Sequence, residues 1–183
     1  MADKAELNRG ENSGSQLSYK ASPEFKKDAH FSSFNQYKNV YEYSILNREK
    51  FWGSESKELF WFEPWKEVKK GKAFNSKWFV GGKTNVSFNC LDRHINTNKR
   101  NKAALIWESE SGESKVLTYP LLFTQVCKFA NVLKKNGVKK GEYVINYMGT
   151  IPEAVIAMLA STRIGAIHSV VQSELSSKPL YER

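Results

Sequence analysis

Ser87, Asp92 and His94 lie close together in the chain and are the three residue types of a hydrolytic relay. In such a relay a carboxylate orients an imidazole, which takes a proton from a hydroxyl. No Gly-x-Ser-x-Gly elbow surrounds Ser87 to present its hydroxyl on a strained, exposed turn, so a triad is not expected. His30, His94 and His168 are far apart, with no pair at i,i+4 spacing, and no metal site is expected from them. His168 lies in an apolar run and is expected to be a hydrogen-bonded core residue rather than a base. Met148-Gly149-Thr150 follows a strand-like run, at the carboxyl edge where open α/β sheets place ligands. Gly10-Glu11-Asn12-Ser13-Gly14-Ser15 has small residues suited to a phosphate loop, but it sits in a polar arm and opens no helix.

Charge narrows the partners without choosing one. Lys and Arg total 28 against 19 Asp and Glu, a net charge of +9. A basic surface attracts phosphate-bearing partners of many kinds. The cations fall in three groups: Lys66, Lys69, Lys70, Lys72, Lys77 and Lys83; then Lys99, Arg100 and Lys102; then Lys134, Lys135, Lys139 and Lys140. Solvated faces and helix C-termini account for such groups. No helix-turn-helix, RNP aromatic pair, GXXG loop or zinc-finger spacing accompanies them, so a nucleic-acid-binding module is the weakest reading. Mean hydropathy is −0.54 and no apolar run approaches a membrane span, so no membrane partner is expected. The polar start carries no secretory signal, and Cys90 and Cys127 make neither a CxxC pair nor a disulfide framework. A cytoplasmic, reduced protein is expected.

The elements that position these residues can be read from periodicity and punctuation. Residues 1–23 are a polar arm, expected to be disordered. Tyr37, Val40, Tyr41, Ile45 and Leu46 recur at helical spacing, which predicts a helix over 34–46, and a second short helix is expected to carry Phe51, Trp52 and Leu59. Phe60, Trp61, Phe62, Trp65, Phe74, Trp78 and Phe79 punctuate a stretch with Pro64, Gly71 and Gly81-Gly82. The prediction there is irregular chain anchored by buried rings. Strands at 103–107 and 115–117, joined by a polar turn with Gly112, predict a hairpin. A helix follows, capped by Thr118, with Pro120 in its first turn, Leu122, Val126, Phe129 and Leu133 on one face, and Gly137 as its stop. Tyr143–Tyr147 is a strand, Thr150 and Glu153 have capping-box spacing, the helix to Arg163 is apolar nearly all round, and Ala166–Val171 is a second strand. Strand, buried helix and strand make a parallel βαβ unit. The fold class is therefore α/β: an amino-terminal helical and irregular segment, then a hairpin, then βαβ. Only twelve residues follow Val171, so the sheet is expected to be incomplete.

From about Tyr37 to Arg183 the sequence resembles the amino-terminal part of AMP-forming acetyl-CoA synthetases, acetate–CoA ligases of the acyl-adenylating superfamily. The resemblance is carried by Phe51-Trp52, Trp61-Phe62 with Pro64-Trp65, and Lys77-Trp78-Phe79-Val80-Gly81-Gly82. It continues through Asn85-Val86, Asn89 to His94, Leu117-Thr118-Tyr119, Ile151 to Ala160, and Arg163 to Val171. It implies a family extension over 24–100 and the start of an AMP-binding α/β domain over 101–183, an opening part of the large domain of the adenylate-forming fold. It implies also the family's reaction: acetate and ATP give acetyl-adenylate and pyrophosphate, and CoA then displaces AMP. ATP, CoA and magnesium are thus the cofactors and co-substrates of the intact family, with small-molecule substrates.

Residues 1–183 lack the family's Ser/Thr/Gly loop with Pro-Lys-Gly, its aromatic-Thr-Glu segment, its ribose-binding Asp and its catalytic Lys. No catalytic residue is therefore assigned, and no cofactor is expected to bind this chain tightly by itself. One position carries over: counting from His168, Arg183 stands where the family has an Arg that contacts the 3′-phosphate end of CoA. A guanidinium grips phosphate with two N–H groups. Between them, Gln172-Ser173-Glu174-Leu175-Ser176 replaces an aromatic, two glycines, Phe and Ser, which removes a close backbone approach and adds a negative charge. The first expectation is an opening section of an acetyl-CoA synthetase-like ligase, inactive by itself. The second is a non-catalytic module that pairs with a separately encoded chain completing the sheet.

Overall fold

A computed structural model describes residues 21–174 and 176–182 and divides the chain into two compact units, one through Phe51 and one from Trp52. In the first, α1 (Pro23–Asp28) begins at Ser22, whose hydroxyl accepts the Phe25 N–H. Then α2 (Phe34–Leu46) follows Ser33, whose hydroxyl accepts from Gln36 N–H, so both helices have a side-chain acceptor for an otherwise orphaned donor. The helical spacing over 34–46 is realised, but no residue of α2 is buried. Its rings pack along the helix surface, Tyr37 stacking on Tyr41 at 6.1 Å.

The second unit contains the core. The helix α3 (Arg48–Glu55) straddles the divide and carries Phe51 and Trp52 but not Leu59, which is extended beyond a short 3-10 turn. Strand β1 (Glu67–Lys70) pairs antiparallel with β2 (Lys77–Val80). This hairpin corrects the expectation of irregular chain. The segment 67–70 holds one apolar residue among charges, so no alternation marks it; backbone pairing and ring packing make it a strand. Trp61 and Trp65 pack on Phe79, at 5.4 and 6.1 Å between ring centroids. Phe79 has φ +49, the one left-handed non-glycine residue among those described, held there by these rings and by the turn into Gly81. Gly82 is required by approach: a Cβ there would lie 2.6 Å from Trp61 Cζ3.

A π-helical turn, Phe88–Asp92, leads into α4 (Arg93–Ile95). Next β3 (Ala103–Glu108) and β4 (Ser114–Thr118) form the predicted antiparallel hairpin, with a register shift between Ala103 and Leu105. Then α5 (Tyr119–Lys135) ends at Gly137, φ +89. Thr118 holds the N-cap position, yet its hydroxyl makes no capping bond. Pro120 lies in the first turn and has no N–H, so one of the two donors an N-cap hydroxyl would serve is missing.

The parallel unit is as expected: β5 (Tyr143–Met148), α6 (Pro152–Arg163) and β6 (Ile167–Gln172), in the register Tyr143↔Ile167 through Met148↔Gln172. A final helix, α7 (Ser177–Glu182), closes the described chain. The capping box is not formed. Ile151 precedes a proline and is therefore driven to extended backbone, φ −126 and ψ 157, so α6 starts at Pro152 with Ile151 as its cap residue. The Thr150 carbonyl instead accepts from Trp107 Nε1 at 2.7 Å, and Glu153 faces Lys115 at 3.4 Å.

Leu91, Leu117, Leu122, Val126, Ala130, Ile156 and Ala160 form one buried cluster. It joins the π turn, β4, α5 and α6. Each large aliphatic here contributes about 1.5–3 kcal/mol by leaving water. The burial predicted all around α6 holds for Ile156, Ala157, Ala160 and Ser161, whereas Val155 and Met158 line open cavities. On the β5–β6 ribbon, Tyr143, Ile145 and Ile167 share one face and are 79, 43 and 48% exposed.

Candidate functional site

The relay residues do not converge. Ser87 is fully buried, and its Oγ has no hydrogen-bond partner. Asp92 gives both carboxylate oxygens to Arg163, Oδ2 to Nη1 and Oδ1 to Nη2, each at 2.8 Å. His94 lies against the Tyr119 ring at 5.1 Å, and burial followed by the charges of Lys99 and Arg93 lowers its pKa. The carboxylate therefore serves a guanidinium and not an imidazole. Arg163 also covers the Phe123 ring at 4.9 Å, and its Asp92 bond raises its pKa. Asn85 completes this latch by donating Nδ2–H to the Thr162 carbonyl at 2.9 Å. The sequence carried no signal for it, because partners 71 and 77 residues apart leave no local spacing.

His168 departs from expectation. Its face of the ribbon looks toward α6, and its Nδ1 is buried without a hydrogen-bond partner. The ring borders a cavity of ≈ 370 Å³ with Cys90, Tyr119, Met158 and Thr162. Neighbours on this side of α6 are mostly aliphatic, so strand placement buried the nitrogen without supplying a donor or acceptor for it.

The carboxyl edge of the parallel ribbon is open, as its topology implies. Met148, Gly149 and Thr150 border a cavity of ≈ 390 Å³ together with Trp107, Met158 and Glu174. Tyr147 donates its hydroxyl to the Ser173 carbonyl at 3.0 Å, which fixes the chain leaving β6. The mouth carries a carboxylate, Glu174, and no described cation. That chemistry suits an apolar or cationic group better than a phosphate. Arg183, the one residue assigned a CoA contact, and the glycine-containing arm Gly10–Ser15 lie outside the described residues. Among the described residues no group of three or more His, Cys, Asp or Glu could hold a metal, and no helix is long and apolar enough to cross a membrane.

Known proteins place this architecture. Residues 37–90 match the acetyl-coenzyme A synthetase N-terminus and residues 91–181 match the AMP-binding enzyme family, in consecutive order along the chain. The chain belongs to the acetyl-CoA synthetase family, in its amino-terminal part. Acetyl-coenzyme A synthetase of Leptospira biflexa is 52% identical over 165 residues, which is 88% of this chain and 25% of the relative. The Chlorobaculum tepidum enzyme of the same name is 44% identical over 87% of this chain and 24% of its own length. A 3-hydroxypropionyl-coenzyme A synthetase from Sulfurisphaera tokodaii is 50% identical over 80% of this chain and 23% of its own. The chain thus spans about a quarter of these acetyl-CoA synthetase-family relatives. Acetoacetyl-CoA synthetase from Streptomyces lividans superposes with a TM-score of 0.73 at 25% identity, over 78% of this chain and 22% of that one. The mixed α/β arrangement with small sheets is that of the adenylate-forming acyl-CoA synthetases.

Proposed function

We propose that this chain supplies the opening, scaffolding section of an AMP-forming acyl-CoA ligase and does not itself form acyl-adenylate. The observation that carries the reading is the consecutive pair of family matches over 37–90 and 91–181, set against relatives about four times as long. In this reading residues 1–23 are an arm, 24–100 the family extension, and 101–183 the first part of the AMP-binding domain, in a cytoplasmic setting.

The residues present do not fit ATP with magnesium. Triphosphate needs a run of backbone N–H donors, and the cation needs clustered oxygens. No Ser/Thr/Gly loop followed by Pro-Lys-Gly occurs in the sequence, and the one glycine-containing arm is outside the described residues. No step is therefore assigned to ATP here. Toward CoA, Arg183 is the proposed contact, while the Glu174 carboxylate at the carboxyl edge of the ribbon would oppose a phosphate there. The acyl pocket lies outside this section, in keeping with relatives named for different acyl groups.

Purified chain mixed with acetate, ATP, magnesium and CoA is expected to yield no acetyl-CoA; formation above the no-protein control overturns the proposal. The β5–β6 sheet, which has only two strands among the described residues, favours a second reading, in which a separate chain completes the sheet. Co-expression with a polypeptide covering the rest of the family fold is expected to give a co-purifying pair with ligase activity. Two species that elute independently refute the pairing.

A further inference from the structure

We infer that the cleft at the amino ends of β5 and β6 binds an organic phosphate of nucleotide size. This is the edge opposite Met148–Thr150, and no reacting group of the family chemistry has been placed there. The cleft measures ≈ 730 Å³ and lies where α5 and α6 both end. Its rim carries Lys134, Lys139, Lys140 and Arg163. Asp92 already neutralises Arg163. None of the three lysines belongs to an ion pair among the described residues.

Complementing the helix ends does not use up this charge. Two helix C-termini bring about half a negative charge each, and Glu142, whose Oε2 accepts the Lys139 backbone N–H at 2.7 Å, brings one more, so three ammonium groups leave the cleft net positive by about one. Lys140 is also held in place: its stem lies over Gly165, where a Cβ would come within 2.9 Å of Lys140 Cγ, and Gly165 has φ +76. A side chain at 165 would push this ammonium away. The floor is apolar, from Ala130, Val138 and Ile164. Cationic rim and apolar floor together suit a ligand with phosphates at one end and a flat, weakly polar body at the other. A bare inorganic anion would use the rim alone.

Two cysteines provide a local reporter, since Cys127 borders the cleft and Cys90 is exposed elsewhere. The probes are ATP, tripolyphosphate and adenosine, without magnesium. ATP is expected to slow iodoacetamide alkylation of Cys127 and leave Cys90 unchanged, with tripolyphosphate weaker and adenosine without effect. Lys139→Glu with Lys140→Glu should weaken ATP binding, measured by calorimetry, by about tenfold or more, since two attractions become repulsions. The neutral pair Lys139→Gln with Lys140→Gln provides a milder version if the reversal unfolds the chain. Lys72→Glu with Lys77→Glu changes net charge equally on the β1–β2 hairpin and should cost less than threefold. Equal losses from both reversed pairs, or protection of neither cysteine, overturn the site. Tripolyphosphate binding as tightly as ATP overturns the organic part of the assignment.

Discussion

Replacing Asp92 with alanine leaves the Arg163 guanidinium three-quarters covered with neither of its two 2.8 Å partners. Breaking a fully buried pair from one side costs about 3–5 kcal/mol, because the remaining charge is uncompensated. Here the side chains keep 25% and 16% of their exposure, so water reaches the guanidinium and the loss falls to about 2 kcal/mol. For a domain of this size that is a drop of about 4–8 °C in Tm. Urea unfolding followed by tryptophan fluorescence reads the same quantity. Arg163→Lys keeps the charge but lacks the fork that meets both oxygens, so its loss should be smaller. Arg163→Met should retain packing on Phe123, and the Asp92→Ala/Arg163→Met double variant should show a coupling of about 1–2 kcal/mol. If Asp92→Ala stays within about 0.5 kcal/mol of the parent, as an ordinary surface change does, the latch contributes nothing and the reasoning fails.

Gly82→Ala forces Trp61 from the position where its Nε1 donates to the Ser56 carbonyl at 2.8 Å. A loss of about 1–3 kcal/mol is expected, with a shifted tryptophan emission; an unchanged spectrum and midpoint count against it. His94 is held below its ordinary value by burial and then by Lys99 and Arg93, so the unfolded chain binds its proton more readily. The His94 contribution is full above about pH 6.5 and is lost as pH falls through that value toward the lowered folded one. Melting at pH 7.5 and 5.5 should show a decline that His94→Gln reduces, and parallel declines in both proteins would refute the assignment. Tyr143→Lys with Ile167→Lys on the open ribbon face should reduce binding of a hydrophobic dye while moving stability by less than about 0.5 kcal/mol each; a loss of several kcal/mol would mean the face is packed.

The elements easiest to read were those bounded by residues with a single conformational meaning. Gly137 and Gly165, both at positive φ, end α5 and α6, and the apolar runs on either side of α6 could pair only in parallel. Local rules failed where a second local rule opposed them. Thr150 and Glu153 have capping-box spacing, but Pro152 restricts Ile151 and moves the helix start by one residue. Thr118 reached its cap position and met a missing donor at Pro120. Strand β1 was not legible because its stability comes from pairing Lys69 with Trp78 and from rings elsewhere in the chain. His168 showed the limit for polar core residues: a strand pattern indicates burial without saying what stands opposite each ring nitrogen. The Asp92–Arg163–Asn85 latch is a tertiary fact throughout.

The turn Phe88–Asp92 contains the junction at which the two family matches meet, between residues 90 and 91. Leu91, 1% exposed, is already in the core shared with α5 and α6, while Asn85, on the other side of that junction, grips the end of α6. The junction is therefore welded rather than jointed. Severing the polypeptide there would strip one half of its anchor and open a hole in the other, and a protease would find no natural seam between them. From Trp52 onward, the stretches matched by the two families belong to one compact unit.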